Sequence, residues 1–129
     1  MDRIGDFIAR IRNAGLAGQK TTIVPYTRLL SAIADVLKKE GYIGDVEKKD
    51  IKGIPHLVME LIYLEDGTPR VQGTKRMSKL SGRMYKGADE IKTVRQGFGR
   101  VIVSTPQGIV TGEEAQKEHV GGEILFEIW

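Results

Sequence analysis

Residues 101–108 limit the possible folds of this chain more than any other stretch, because they join a clear strand to an unusual turn. Three β-branched residues open the stretch, a pattern typical of a buried strand. Pro106 cannot donate to a sheet ladder, and Gly108 can adopt positive φ. We therefore expect the strand to end in a tight turn that presents the hydroxyls of Ser104 and Thr105.

A second strand is predicted over residues 123–129, directly after a Gly-Gly pair. Our hypothesis is that the turn of Ser104 and Thr105 lies beside the start of this last strand. Hydroxyls, glycine backbone and the Glu123 carboxylate would then meet the 2′-OH groups, phosphates and base edges of a folded RNA. The alternative is a hairpin turn capped by its own Ser and Thr, with Glu123 merely solvated.

Length and cysteine content narrow the class of protein. A chain of 129 residues suits one domain or two small halves that share a core. Without cysteine, disulfides and thiolate metal sites are excluded. The start carries acids where a signal peptide needs basic residues, and no apolar run approaches the ~20 residues of a membrane span. We expect a soluble, cytoplasmic protein.

Charge is segregated along the chain, although the net charge is only +3. Residues 70–100 carry nine Lys or Arg against two acids, whereas residues 101–129 carry one Lys against five Glu. A basic segment that also contains an aromatic residue is typical of a polyanion binder, but also of a solvated loop region. Within it, Tyr85 is either a stacking platform for bases or ordinary strand filler.

The first half predicts helices that cover a small sheet. Apolar spacing predicts a helix over 3–14, with Asp2 as its cap and Gly15 as its end. A strand over 21–24 precedes a second helix, which Thr27 caps and which ends before Gly41. Residues 42–48 and 56–64 are then predicted as a hairpin with a polar link of seven residues between them.

The second half predicts short strands and small helices after a turn at 65–69. Strands are expected over 70–73, 75–77 and 83–86, then a helical turn from Asp89 through Val94. Thr111 and Glu114 have the spacing of a capping box for a short helix that ends before Gly121. The fold class is thus α/β (α+β): an N-terminal helix-covered sheet, 1–66, packed against a mostly antiparallel β half, 67–129.

Catalytic and cofactor motifs are weak. Gly97-x-Gly99 lacks the third glycine and the following helix of a dinucleotide site. His56 and His119 have no partner at metal-ligand spacing, so neither metal nor cofactor is expected. A hydrolytic triad would need Ser104 as nucleophile, His119 as base and a glutamate from Glu113, Glu114 or Glu123, but no nucleophile elbow surrounds the serine. We therefore expect a protein that is not an enzyme.

Several stretches follow one known pattern. They are Asp-Arg-Ile-Gly-Asp-Phe-Ile-Ala-Arg-Ile-Arg-Asn-Ala from Asp2, Ala-Asp-Val-Leu-Lys-Lys-Glu-Gly-Tyr-Ile from Ala34, and Ser78-Lys79 with Arg83-x-Tyr85. The tail is the most specific part, with Gly97-x-Gly99, Ser104-Thr105-x-x-Gly108, Thr111, Glu114-Ala115 and Gly121-Gly122-Glu123 in order and spacing. Over nearly all of its length, the chain resembles the family of small-subunit ribosomal protein S8.

The resemblance implies a structural protein of the ribosome that binds the central domain of small-subunit ribosomal RNA early in assembly and helps to organise the platform. It implies small-subunit ribosomal proteins five and twelve as neighbours. Carried over from the family, the RNA contact falls on the Ser-Thr turn, the Gly-Gly-Glu segment, the basic middle segment and the start of the second helix. Its residues are Ser104, Thr105, Gly108, Gly122, Glu123, Tyr85, Arg83, Lys79, Thr27 and Arg28.

Three departures from the family pattern stand out. Pro106 and Gln107 replace the usual serine and lysine, which removes a hydroxyl, an N–H group and a charge. Leu80-Ser81 replaces Pro-Gly after Lys79, and Arg3 stands where the family has proline. Two alternatives to a ribosomal role remain open at this stage: a protein-protein adaptor that uses the edge of the C-terminal sheet, and a non-ribosomal RNA-binding module.

Overall fold

The computed structural model describes residues 2–129 and has the mixed α+β architecture predicted from the sequence. Two compact units divide this part of the chain: an N-terminal unit, Arg3–Gln72, and a C-terminal unit formed by Asp2 and Gly73–Trp129. No helix within residues 2–129 is long and apolar enough to cross a membrane. The functional division into 1–66 and 67–129 stays a prediction.

The N-terminal unit contains α1 (Arg3–Leu16), β1 (Thr21–Pro25), α2 (Arg28–Lys39), β2 (Ile43–Ile51) and β3 (Ile54–Leu61). Its sheet is antiparallel throughout, in the order β1-β3-β2. α1 contacts β1 and α2 contacts β2, so both helices bury their apolar stripes against the sheet. The largest fully buried side chains of this unit are Phe7, Ile11, Val24, Ile33, Leu37, Tyr42, Ile43, Leu57 and Met59.

A glycine follows the C-terminal end of both α1 and α2, but for α1 it is not the glycine that the sequence predicts. α1 passes through Gly15, where a Cβ would lie 3.1 Å from Cβ of Pro69, so the prediction that Gly15 ends it is wrong. Gly18, at φ 71°, follows its last turn instead. α2 confirms both of its predicted ends: Thr27 Oγ1 accepts from the Leu30 N–H at 3.0 Å, and Gly41 has φ 81°.

The β2–β3 hairpin is longer and tighter than predicted. Register pairs Ile51 with Ile54, so only Lys52 and Gly53 remain in the loop. Their φ values of 52° and 81° match a two-residue turn that needs positive φ at both positions. The prediction of a seven-residue link was wrong because tertiary pairing overrides the polar composition of residues 49–51.

The C-terminal unit contains β4 (Thr74–Arg76), β5 (Tyr85–Lys86), β6 (Arg100–Thr105), β7 (Gly108–Thr111), α3 (Gly112–Lys117) and β8 (Gly122–Ile128). The strand order is β4-β8-β6-β7, with β5 also paired to β8. Its core cluster is formed by Ile91, Val94, Val101, Val103, Ala115 and Ile124.

Local predictions in this unit are partly correct. The capping box of α3 is confirmed, since Thr111 Oγ1 accepts from the Glu114 N–H at 3.3 Å. Residues 70–73 form no strand. The predicted helical turn from Asp89 through Val94 is a 3₁₀ turn over Ala88–Glu90 only, because extended Ile91 turns inward to the core.

Candidate nucleic-acid interface

Ser104, Glu123 and Tyr85 lie side by side across three strands of the C-terminal sheet. The β6–β8 register pairs Ser104 with Glu123, and the β5–β8 register pairs Tyr85 with Glu123. Directly opposed residues of antiparallel strands project from the same face, so the three side chains form one row. The predicted convergence of the turn and the last strand is therefore confirmed.

A β-bulge sets this pairing. Ile102 lies opposite Phe126 but Val103 lies opposite Ile124, which leaves Leu125 as the extra residue of β8. The Leu125 carbonyl accepts from Met77 N at 3.1 Å and from Arg76 Nη1 at 2.6 Å. The bulge is thus held by the last residue of β4 and the residue that follows it.

Thr105 does not present its hydroxyl as the sequence predicts. The residue is only 9% exposed, and Oγ1 donates to the Gly108 carbonyl at 2.8 Å while accepting from the Gln107 N–H at 3.1 Å. The hydroxyl therefore closes the hairpin turn, as the alternative interpretation of the sequence supposed. Of the two predicted hydroxyls, that of Ser104 remains available, because it has no hydrogen bond to any residue within 2–129.

Three glycines, at the turn and at the start of β8, are required by the conformation and close packing of the protein's own backbone. A Cβ on Gly122 would lie 2.1 Å from the carbonyl oxygen of Ser104, and one on Gly121 would lie 2.4 Å from that of Lys86. Gly108 has φ 122°, a conformation unfavourable for any other residue. Close backbone approach accounts for Gly121 and Gly122, and positive φ accounts for Gly108, while Gly108 and Gly122 remain predicted RNA contacts.

The Glu123 carboxylate is partly engaged. Its side chain is 18% exposed, and Oε2 accepts from Arg83 Nη1 at 3.2 Å and from the hydroxyl of buried Ser78. Ser78 in turn accepts from the Met84 N–H at 3.1 Å. Within residues 2–129 no donor contacts Oε1, so Glu123 keeps one oxygen for a further partner.

The row contains one exposed aromatic ring, and cationic side chains lie beside it. Tyr85 is 69% exposed beside Glu123, and Arg83, held by the same carboxylate, is also exposed. Lys79 lies exposed on a tight turn in which its N–H and carbonyl both pair with Gly82, at 3.0 and 3.1 Å. The arrangement offers a ring face, a hydroxyl, a carboxylate oxygen and two cations.

Comparison with known proteins identifies the family. The family model described as ribosomal protein S8 matches residues 2–129. A protein of Ruegeria pomeroyi named small ribosomal subunit protein uS8 is 45% identical over 99% of this chain and 98% of its own length. Proteins of the same name from Chlorobaculum tepidum and Thermosynechococcus vestitus are each 43% identical, over 99% of this chain and 97% of theirs. The chain belongs to the ribosomal protein S8 family.

Membership of the S8 family makes the chain a structural constituent of the ribosome and not an enzyme, as the sequence predicts. The triad considered from the sequence is not assembled. Glu123 contacts Ser78 and Arg83, and no hydrogen bond links it, Ser104 or exposed His119 into a relay within residues 2–129.

The two remaining site residues of this S8 family member lie in the N-terminal unit. The Thr27 hydroxyl is used as the cap of α2, while Arg28 is exposed at the first position of that helix. Sequence reasoning missed the role of Ser78, which is 0% exposed and 45 residues away from Glu123. A single serine carries no signal for a partner at that separation.

Proposed function

We propose that this S8 family member binds small-subunit ribosomal RNA directly, in its central domain, through the row of Ser104, Glu123 and Tyr85 and the cations beside it. The observation that carries the proposal is the cross-strand pairing of Ser104 with Glu123, which joins two distant parts of the chain in one polar row. Gly108, Gly122, Thr105, Lys79 and Arg83 complete the proposed contact in the C-terminal unit, and Thr27 and Arg28 are proposed as RNA contacts of the N-terminal unit.

The chemistry of the row suits the shape and edges of an RNA minor groove. The Ser104 hydroxyl both donates and accepts, so it matches a 2′-OH group or a base edge. Oε1 of Glu123 accepts from a base amino group or a 2′-OH. The exposed ring of Tyr85 offers a stacking face to an unpaired base.

Charge for the phosphates comes from a different part of the sequence. Residues 101–129 are acidic, with five Glu against one Lys, whereas residues 70–100 have nine basic residues. Lys86 on β5 lies opposite Gly122, Arg83 donates to Glu123, and Lys79 directly follows Ser78, which also donates to Glu123, so all three bring that charge close to the row. Phosphate contacts position an RNA while the polar row contacts its bases and sugars.

The wider role rests on the family. We infer that the chain joins the RNA early in assembly, helps to organise the platform of the small subunit, and lies beside ribosomal proteins five and twelve. Family membership supports a place in the small ribosomal subunit, and the absence of cysteine suits a reducing cytoplasm. We expect no cofactor to take part in this function.

A filter-binding experiment tests the proposal. A folded fragment of the central domain and a scrambled RNA of equal length are titrated with wild type, Ser104→Ala and, as the control, Thr21→Val, which removes an exposed hydroxyl from β1. We expect wild type and the control to prefer the folded fragment. Ser104→Ala should bind the folded fragment roughly fivefold more weakly than wild type and should bind the scrambled RNA as wild type does. Equal binding of both RNAs by wild type would contradict the function, and binding that survives high salt without RNA copurification would favour a protein adaptor.

A further inference from the structure

Phe98 is the most unusual exposed side chain of the C-terminal unit. Its exposed fraction is 82%, above the 69% of Tyr85 and the 64% of Leu80. A large apolar ring that stays in water adds little to the stability of the fold. When the backbone that carries it is fixed by hydrogen bonds, such a ring indicates a binding site for a partner. The RNA row described above does not include it.

The turn that displays Phe98 is held from both sides. The Val94 carbonyl accepts from the N–H groups of Gly97 and Gly99, at 2.9 and 3.1 Å. From the other side, Arg100 Nη1 donates to the carbonyls of the same two glycines, at 2.9 Å each. Phe98 is therefore presented on a hydrogen-bonded turn, so that little backbone entropy would be lost when a partner binds it.

The same turn rests on the end of the chain. The Arg95 guanidinium lies 4.0 Å from the ring centroid of Trp129. A Cβ on Gly99 would lie 2.6 Å from a methyl group of buried Val94 and 3.0 Å from Cβ of Trp129. The turn is thus fastened to the core, and the only tryptophan of the chain lies beneath it.

Charge around Phe98 favours an anionic partner. Residues 91–112 contain three basic residues and no acid, and two of the three, Lys92 and Arg95, are exposed. The third, Arg100, has its Nε 3.7 Å from Glu113. An exposed aromatic ring close in sequence to exposed cations matches the make-up of sites that bind single-stranded nucleic acid, where bases stack and phosphates are neutralised.

We propose that Phe98 is a second RNA contact, a stacking platform for an unpaired base, with Lys92 and Arg95 directed to the adjacent phosphates. This inference rests on the proposed RNA-binding function but concerns the opposite end of β6 from Ser104. At about 3.3 Å per residue, β6 spans roughly 13 Å from Arg100, two residues after Phe98, to Ser104. One folded RNA contacts both ends, at the polar row and at the Phe98 turn.

Substitutions at Phe98 separate stacking from simple apolar burial. Phe98→Ala is expected to weaken binding of the central-domain fragment about 5- to 100-fold, and Phe98→Tyr to stay within about threefold of wild type. Phe98→Leu keeps the apolar bulk but lacks a π face, so it should weaken binding nearly as much as Phe98→Ala. Ile54→Ala, which also removes an exposed apolar side chain but from the start of β3, is the control and should bind like wild type.

Fluorescence of Trp129 gives a local readout of the same event. Binding of the RNA fragment should change the emission of wild type, because the Arg95 guanidinium lies over the indole and Gly99 of the same turn lies against Trp129, and the change should shrink in Phe98→Ala. Urea unfolding of each variant checks that an exposed substitution leaves the fold intact.

The outcomes distinguish this inference from the proposed function. If wild type prefers the folded fragment and Ser104→Ala weakens it, but Phe98→Ala or Phe98→Leu binds like wild type, the Phe98 platform is wrong and the function stands. If wild type shows no preference, both fail. A Phe98→Ala protein that binds RNA normally but no longer joins other ribosomal proteins would assign Phe98 to a protein partner and overturn the proposal.

Discussion

The Ser78 hydroxyl donates a hydrogen bond to Oε2 of Glu123, and this contact ties the loop before β5 to the start of β8. Arg83 donates to the same oxygen, and its side chain remains exposed to solvent. Since Ser78 is fully buried, the pair fixes where both the carboxylate and the guanidinium lie. A folding contact and the proposed RNA surface therefore share one carboxylate.

Replacing Ser78 by alanine should destabilise the protein by about 1–3 kcal/mol, because the Met84 N–H is deprived of its acceptor and Glu123 of a donor. Urea unfolding measures the change. Ser81→Ala is the control, since Ser81 is exposed, and its effect should stay within about 0.5 kcal/mol. Equal stabilities for the two variants would mean that the Ser78 contact is not formed in solution.

Replacing Thr105 by alanine should lower the stability of the protein, because the Thr105 hydroxyl closes the hairpin turn, and any loss of RNA affinity should follow from that. The hydroxyl satisfies the Gln107 N–H and the Gly108 carbonyl, so its removal should cost about 1 kcal/mol in the free energy of unfolding. Thr105→Ser keeps the oxygen and should restore most of that stability. If Thr105→Ala reduces RNA affinity without changing the unfolding curve, then the threonine contacts RNA directly.

Replacing Gly122 by alanine should be strongly destabilising, by roughly 2–4 kcal/mol, because the new Cβ would lie 2.1 Å from the Ser104 carbonyl and would force β6 and β8 apart. Gly82→Ala is the matched control. Gly82 has ordinary φ and nothing within 4 Å of the added atom, so this change should be neutral or slightly stabilising. Similar thermal midpoints for the two variants would contradict the β6–β8 pairing.

Replacing Lys79 by alanine should weaken binding to folded and scrambled RNA alike, since an exposed lysine on the Lys79–Gly82 turn offers charge and no base contact. The slope of log affinity against log salt should fall by up to about one unit for each phosphate that the lysine no longer neutralises. Lys117→Ala, at the end of α3, tests for an effect of net charge alone. A slope that Lys79→Ala leaves unchanged would remove this residue from the RNA surface.

Local elements could be predicted because their causes are local. Thr27 and Thr111 each cap a helix through a hydroxyl that reaches a backbone N–H three residues on, a contact independent of the rest of the fold. The apolar spacing of α1 predicts its buried face, but Gly15 misled the prediction of its end. Space for a Cβ is limited there by Pro69, which is far away in sequence.

That Ser104 and Glu123 lie close together was predictable from the sequence, but the contacts around the pair were not. Motif order and spacing place Ser104 and Glu123 in one family pattern, and the structure pairs them across β6 and β8. The burial of Thr105 was not predictable, because its exposure depends on whether the hydroxyl turns to water or to its own turn backbone. The role of Ser78 depends on a contact across 45 residues.

By itself the sequence determined the strand over residues 101–103, the two threonine caps, the basic segment and the family. Only the tertiary structure decided that Ser104, and not Thr105, lies opposite Glu123. That outcome depends on the single extra residue of the bulge at Leu125, since without it the pairing would move by one position and every later side chain would change face. Strand register is set by contacts between segments far apart in the chain, so it cannot be predicted from the periodicity of one segment.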